Sequence, residues 1–378
     1  MLFRSGKPIL LMAHMDVVTA KREDWQRDPY TLVEENGFFY GRGTLDIKSG
    51  VAELTSTFLR LKAEHFVPTR DLVIVFSGDE ETDGKTAQDL VARHRDLVDA
   101  EFALNSDAGG GGIDKNGRDS IYGMQTAEKT YASYELTVRN PGGHSSLPRV
   151  DNAIYELADA LKKLQAYRFP VMWNDTTLAY YRASAKVTEA PTGAAMLAFA
   201  NNPRDTAASD VLDKLPSEVG HIRTTCVPTL LRGGHAENAL PQSATATVNC
   251  RIFPGVAVVD VGKTLQDLAG KGVEVKVIGS PFSTDASPLR ADVLAAVTHA
   301  VHALHPGVLV VPSQESGATD GIYFRGAGIP TYGTGAAFIK ESDSFAHGLN
   351  ERLPVKSFYD DLQHWYLLVH SLAGSHPR

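Results

Sequence analysis

Cysteine is scarce in this sequence: two residues in 378, Cys226 and Cys250. They show no CxxC spacing and no histidine-rich neighbourhood, so they are expected to be buried small residues that say little about redox compartment. No stretch approaches the roughly 20 apolar residues needed to span a bilayer, and a membrane partner is not expected. No run of lysine and arginine offsets the formal net charge of -8, which argues against a nucleic-acid surface. No G-x-S-x-G elbow occurs, which removes that serine-hydrolase signature. The glycine-rich "DAGGGGID" lacks the Lys-Ser/Thr of a phosphate loop and is expected to be a flexible turn. Residues 1 to 12 lack the apolar segment and small-residue cleavage site of a signal peptide, while Met1 sits almost on top of a strand. The compartment is therefore expected to be cytoplasmic or, with a leader ahead of Met1, periplasmic or secreted.

What is present is ordinary for a soluble globular protein: 43% hydrophobic and 22% charged residues, in a length that favours two or three domains. The first third alternates strand and helix. Apolar runs at 8 to 13, 71 to 77 and 101 to 105 read as strands; 48 to 62, with Val51, Leu54, Phe58 and Leu61 at helical spacing, and "KTAQDLVARH" read as helices. That is the pattern of a mostly parallel sheet flanked by helices, an α/β fold. Near residue 128 the character changes. "YASYELTVR" alternates like a half-buried antiparallel strand, and "DNAIYELADALKKLQ" is an amphipathic helix capped by Asp151 or Asn152, with Ile154, Leu157, Leu161 and Leu164 on one stripe. Two more alternating strands, a helix near 258 to 269 and the strand "VEVKVI" complete an α+β unit with an antiparallel sheet, around a proline-containing and largely helical stretch at 166 to 222. The helix "ADVLAAVTHAVHALHP" and the strand "IPTYGTG" then resume the first pattern. Residues 1–127 and 282–378 are thus expected to form one domain, with 128–281 inserted in it.

The apolar run "LLMA" ends in His14 and Asp16, two positions apart and so on one strand face. Asp16 either satisfies a partly buried histidine or orients its ring for a metal. Glu80 and Glu81 follow "DLVIVFSGD", Asp107 follows "EFALNS", and Asp46 precedes the helix at 48. The carboxyl ends of parallel strands form the ligand crevice, so these segments bring one histidine and four carboxylates to one edge. Singly, Asp46 reads as a helix cap, Asp107 as a turn residue and the two glutamates as solvated charges. Carboxylates crowded together repel unless a cation intervenes, and jointly they imply bound metal.

"HMDVV", "GRGTLDIKSG", "GDEET", "NSDAG", "GGHSS" and "AHGLNE", in this order, resemble the M20 family of di-zinc metallopeptidases and amidohydrolases, over nearly the whole chain. The inserted unit matches that family's lid or dimerisation domain. The resemblance implies that Asp46 bridges two zinc ions, that His14 and Asp107 complete one site, that Glu81 and His347 complete the other, and that Glu80 is the general acid/base. Mixed nitrogen and oxygen ligands suit zinc, with cobalt or manganese as substitutes. Two such metals, about 3.5–4 Å apart, acidify a bridging water and polarise the scissile carbonyl.

By the same resemblance, His144 reaches an active site, often the partner subunit's, to support the developing oxyanion. Asn238 and Arg251 hold a substrate carboxylate, with Thr319 in "SGATDG" as a further hydroxyl donor. "GHIRTTCVPTLLRGGHAENALP" looks closer to the branch containing carboxypeptidase S and the N-acyl amino acid hydrolases. The expectation is a zinc-dependent carboxypeptidase or N-acyl amino acid amidohydrolase that takes a peptide or N-acyl amino acid and forms a homodimer through the lid. Its rivals are a dipeptidase requiring a free amine and an inactive metal- or ligand-binding member.

Overall fold

The computed structural model describes residues 6–375. The strand Gly6–His14 runs parallel to Arg70–Ser77 on one side and Phe102–Asn105 on the other. Its side chains alternate between two cores, which is why the run is apolar without interruption. Ile9, Leu11 and Ala13 face Leu54, Trp365 and Leu368 on one side of the sheet; Leu10 and Met12 face Ala87, Phe324 and Ile329 on the other. The sheet has eight strands. From Arg70–Ser77 it continues through Gly6–His14, Phe102–Asn105 and Thr331–Gly333 to Asp119–Glu128, which pairs with Gly110–Ile113 and Leu309–Glu315; Phe338–Lys340 closes the far edge. Five of its pairings are parallel and two antiparallel.

Several elements depart from the sequence pattern. "GGGI" is a strand, not a flexible turn: Gly110–Ile113 pairs with Phe338–Lys340 and Asp119–Glu128. Glycine is needed there because a Cβ on Gly111 would lie 2.1 Å from the Phe338 ring. The strands Asp119–Glu128 and Leu309–Glu315 and the helix Val355–Ala373 complete the body. A small sheet of Val33–Glu35, Phe38–Tyr40 and Arg352–Pro354 borders the segment leading to Asp46.

The chain leaves the large sheet at Glu128 and enters an antiparallel sheet at Thr130. Its order is Thr225–Gly233, Ser243–Ile252, Thr130–Arg139, Val273–Ile278. The inward residues Ala132, Tyr134, Leu136 and Val138 pack on the helices Ala153–Ala166 and Val258–Ala269. Asn152 is the cap of the first helix, accepting from the Ile154 amide at 2.9 Å. The buried stripe is Ala153, Leu157, Ala160 and Leu164, while Ile154 is exposed.

The two cysteines are disulfide-bonded, not free. They stand directly opposite each other across the antiparallel pair, with Cα atoms 4.1 Å apart. The 166 to 222 stretch is helical as expected, with its own core around Tyr181, Phe199 and Leu212. It leans on the large sheet: the Thr126 and Thr176 hydroxyls lie 2.6 Å apart and Asn174 Nδ2 donates to Gln314 Oε1 at 3.2 Å. No helix among the described residues is long and apolar enough to cross a membrane.

Candidate metal centre

Parallel register gathers the site. His14 lies beside Ser77 and Met12 beside Asn105, so the segments that follow those three strands emerge at one edge. They carry Asp16, Glu80, Glu81 and Asp107. Asp46 arrives from the turn before the helix Lys48–Ala63, and His347 from the segment ahead of Arg352–Pro354, with a left-handed φ of 62°.

These side chains form two groups with one member in common. His14, Asp46 and Asp107 offer ligand atoms within 4.8 Å of one another, and so do Asp46, Glu81 and His347. His14 Nε2 is 3.1 Å from Asp46 Oδ1 and 3.4 Å from Asp107 Oδ1; His347 Nε2 is 3.1 Å from Asp46 Oδ2 and 2.9 Å from Glu81 Oε1. Asp46 therefore turns one oxygen to each group. His14 Nδ1 lies 3.1 Å from the Asp16 carbonyl oxygen, which can only accept, so Nδ1 carries a proton and Nε2 is the ring atom turned to Asp46 and Asp107. The Asp16 carboxylate does something else. Its two oxygens accept the Glu80 amide at 3.1 Å and the Glu81 amide at 3.0 Å, which fixes the segment bearing both glutamates.

The donors suit a cation. Burial, followed by the charge of Asp107, pushes the Glu80 carboxyl up to about 9, and burial pushes Asp107 up to about 7 despite its hydrogen bond to His14. Burial opposes charge on His14, yet hydrogen bonds to Asp107 and Asp46 prevail and push it up to about 12. Protons are thus held where positive charge is wanted, and imidazole nitrogen mixed with carboxylate oxygen is a ligand set for zinc and its neighbours. Glu80 belongs to neither group and is half-buried beside them.

Two supporting residues, Glu351 and Asp320, lie inside the motifs "AHGLNE" and "SGATDG" but were assigned no role from them. Glu351 is fully buried; its Oε1 accepts the amides of Gly43, Leu45 and Asp46 at 3.1, 2.8 and 3.0 Å, and its Oε2 pairs with Arg42. It holds the turn on which Asp46 stands, and its one sequence signal is the end of "AHGLNE". Asp320 lines a small internal cavity with His14, Asp107 and Ser77.

The remaining predicted residues lie apart from these groups. His144 is exposed on a two-stranded ribbon opposite Ala239, next to Asn238, whose carbonyl accepts the Ser145 amide. His144 Nδ1 accepts the Ser146 amide at 3.2 Å, so its proton is on Nε2. Arg251 stands over the Tyr131 ring and donates to the Ser316 carbonyl at 2.7 Å, spanning from the antiparallel sheet to the "SGATDG" segment. Thr319 is buried, and its hydroxyl donates to Glu128 at 2.9 Å.

Residues 10–371 match the sequence profile of peptidase family M20/M25/M40. The chain belongs to that family. This M20 protein is 29% identical to the human N-fatty-acyl-amino acid synthase/hydrolase PM20D1, covering 97% of this chain and 74% of that protein. It is 26% identical to a probable carboxypeptidase S-like 2 of Dictyostelium discoideum, over 97% and 72%. An M20 family metallo-carboxypeptidase of Sulfolobus solfataricus superposes with a TM-score of 0.72 at 19% identity, covering 98% of this chain and 86% of that one. A Bacillus subtilis structure described as a dinuclear metal binding peptidase superposes with a TM-score of 0.54 at 13% identity, over 97% and 82%. The fold is that of M20 structures, and family and relatives make this M20 protein a hydrolase of amide bonds.

Proposed function

We propose that this chain is a zinc-dependent hydrolase that cuts an amide next to a free carboxylate, releasing an amino acid from an N-acyl conjugate or a peptide. The observation that carries this reading is a half-buried Glu80, outside both ligand groups, beside two such groups that share Asp46. The names of the relatives, N-fatty-acyl-amino acid hydrolase and carboxypeptidase S-like, supply the substrate class.

His14, Asp46 and Asp107 would hold one zinc, and Asp46, Glu81 and His347 the other, with cobalt or manganese as substitutes. Zinc bound there supplies positive charge that polarises a carbonyl and makes a water more acidic. Glu80 accepts the attacking water's proton and hands it to the leaving nitrogen. Asp16 keeps Glu80 and Glu81 in register through their amides. His144 brings an Nε2 proton to the developing oxyanion. Asn238 and the Arg251 guanidinium receive the substrate carboxylate.

The antiparallel sheet is also proposed to pair with a second copy. Its edge strand Thr225–Gly233 exposes Val227, Leu230 and Leu231, and Ile154 and Tyr155 are exposed on the adjoining helix. Exposed apolar surface beside an unpaired strand edge is the usual mark of an association surface.

The test is amino acid release by the zinc-loaded protein from free dipeptides, N-blocked dipeptides and N-acyl amino acids of increasing acyl length. Release from the blocked substrates is the expected result. Cleavage of free-amine dipeptides alone would make the protein a dipeptidase, and release from none would overturn the reading.

A further inference from the structure

The first of the two crossings between the sheets is made by two consecutive buried residues, Glu128 and Lys129, whose side chains face opposite ways. Glu128 turns back into the large body. Its Oε1 pairs with Arg325 Nη2 at 2.7 Å, and its Oε2 accepts from the Thr319 hydroxyl at 2.9 Å and from Gln125 Nε2 at 3.1 Å. Lys129 turns the other way, donating to the Arg223 carbonyl at 2.8 Å and lying 3.3 Å from the Thr225 hydroxyl at the start of the antiparallel sheet's edge strand. A bare two-residue crossing would let the inserted unit swing, because hinges are a few residues that absorb backbone rotation. Here each residue is tied to a different body, so rotation has to carry the ties along.

The ties lead to the metal centre. Thr319 is followed directly by Asp320, which is buried, has one oxygen with no hydrogen-bond partner among the described residues and lines the small cavity shared with His14 and Asp107. At the other end of the segment the Ser316 carbonyl accepts from Arg251, which belongs to the inserted sheet. The stretch 316–320 is thus held by the crossing, by the inserted sheet and by the back wall of one ligand group.

The Thr319 hydroxyl has a single proton, and it is given to Glu128. We infer that Thr319 is a positioning residue: it links the Glu128 crossing to Asp320, so that the orientation of the inserted sheet sets the His14–Asp107 ligand group. A substrate carboxylate then meets Arg251 but not this hydroxyl. The inference rests on the metal-dependent reading above.

Thr319→Val keeps the shape and leaves Glu128 paired with Arg325 and Gln125; Thr319→Ser restores the hydroxyl. Zinc stoichiometry and affinity, by competition with a chelator, are measured beside kcat and KM on a cleaved N-acyl amino acid. In Thr319→Val, one of two zinc ions should bind about tenfold more weakly and kcat should fall by about tenfold or more, the usual consequence of losing a residue that orients ligands. KM should stay within about twofold, and Thr319→Ser should recover both losses. A raised KM with kcat and zinc binding unchanged would make Thr319 a substrate donor instead. Unchanged kcat, KM and zinc binding would show that the link carries nothing. Wild-type protein that binds no zinc overturns the metal reading and this inference together; wild-type protein that binds two, with a variant that matches it, overturns this inference alone.

Discussion

Asp46 can face two ligand groups because its backbone is held by Glu351, a residue that offers no ligand atom to either group. Replacing Glu351 with alanine strands Arg42 in the interior and frees three amides, so it should cost about 3–5 kcal/mol of stability, as breaking a buried pair does. Urea unfolding measures this. Glu351→Gln, which can still accept from the amides, should lose less. Glu80 makes the opposite prediction. Because it lies outside both groups, Glu80→Gln should retain two zinc ions and thermal stability while turnover falls by about 10²–10⁴-fold. Zinc content and single-substrate kinetics check it, and a normal rate would remove Glu80 from the mechanism.

Between elements, the helices Lys48–Ala63 and Val355–Ala373 meet over two buried carboxyls, Glu53 and Asp361. Burial raises both; for Glu53 the charge of Asp361 adds to it, and Asp361 is pushed up to about 7. Folded pKa values above the unfolded ones mean that this contribution is full below about pH 4 and is lost as pH rises through about 7. The thermal midpoint of Glu53→Gln relative to wild type should therefore rise from pH 5 to pH 8; a pH-independent difference would refute the assignment. The disulfide acts at the same scale. It ties the edge strand to its neighbour across 24 residues of sequence, and chain-entropy arguments put such a loop at about 3.5 kcal/mol. Reductant should lower the denaturant midpoint of wild type and leave a Cys226→Ser, Cys250→Ser protein unchanged.

At the scale of the whole molecule, the question for His144 is whether it serves its own metal centre or a partner's. Mixing Glu80→Gln with His144→Ala protein answers it. If His144 acts across a two-fold dimer, mixed dimers contain one intact site and activity should recover to about a quarter of wild type. Service within one chain predicts no recovery. Much of the molecule was legible before folding. The run ending at His14, the helix at 48 and the alternating strands of the inserted unit follow from local periodicity, because each buries side chains in a repeating pattern. Gly110–Ile113 was not legible, since a glycine strand has no side-chain pattern and takes its pairing from strands distant in sequence. The disulfide was hidden for the same reason: only antiparallel register sets Cys226 against Cys250.

Motifs name the candidate ligands and base, because residue types and their order along the chain are local properties: His14, Asp46, Glu80, Glu81, Asp107 and His347. Their orientation came from folding. That Asp46 serves two groups, that Asp16 holds two amides, that Glu351 sets the turn and that Thr319 points to Glu128 all depend on contacts between segments up to some 300 residues apart, whose pairing is fixed by packing and register and leaves no local pattern.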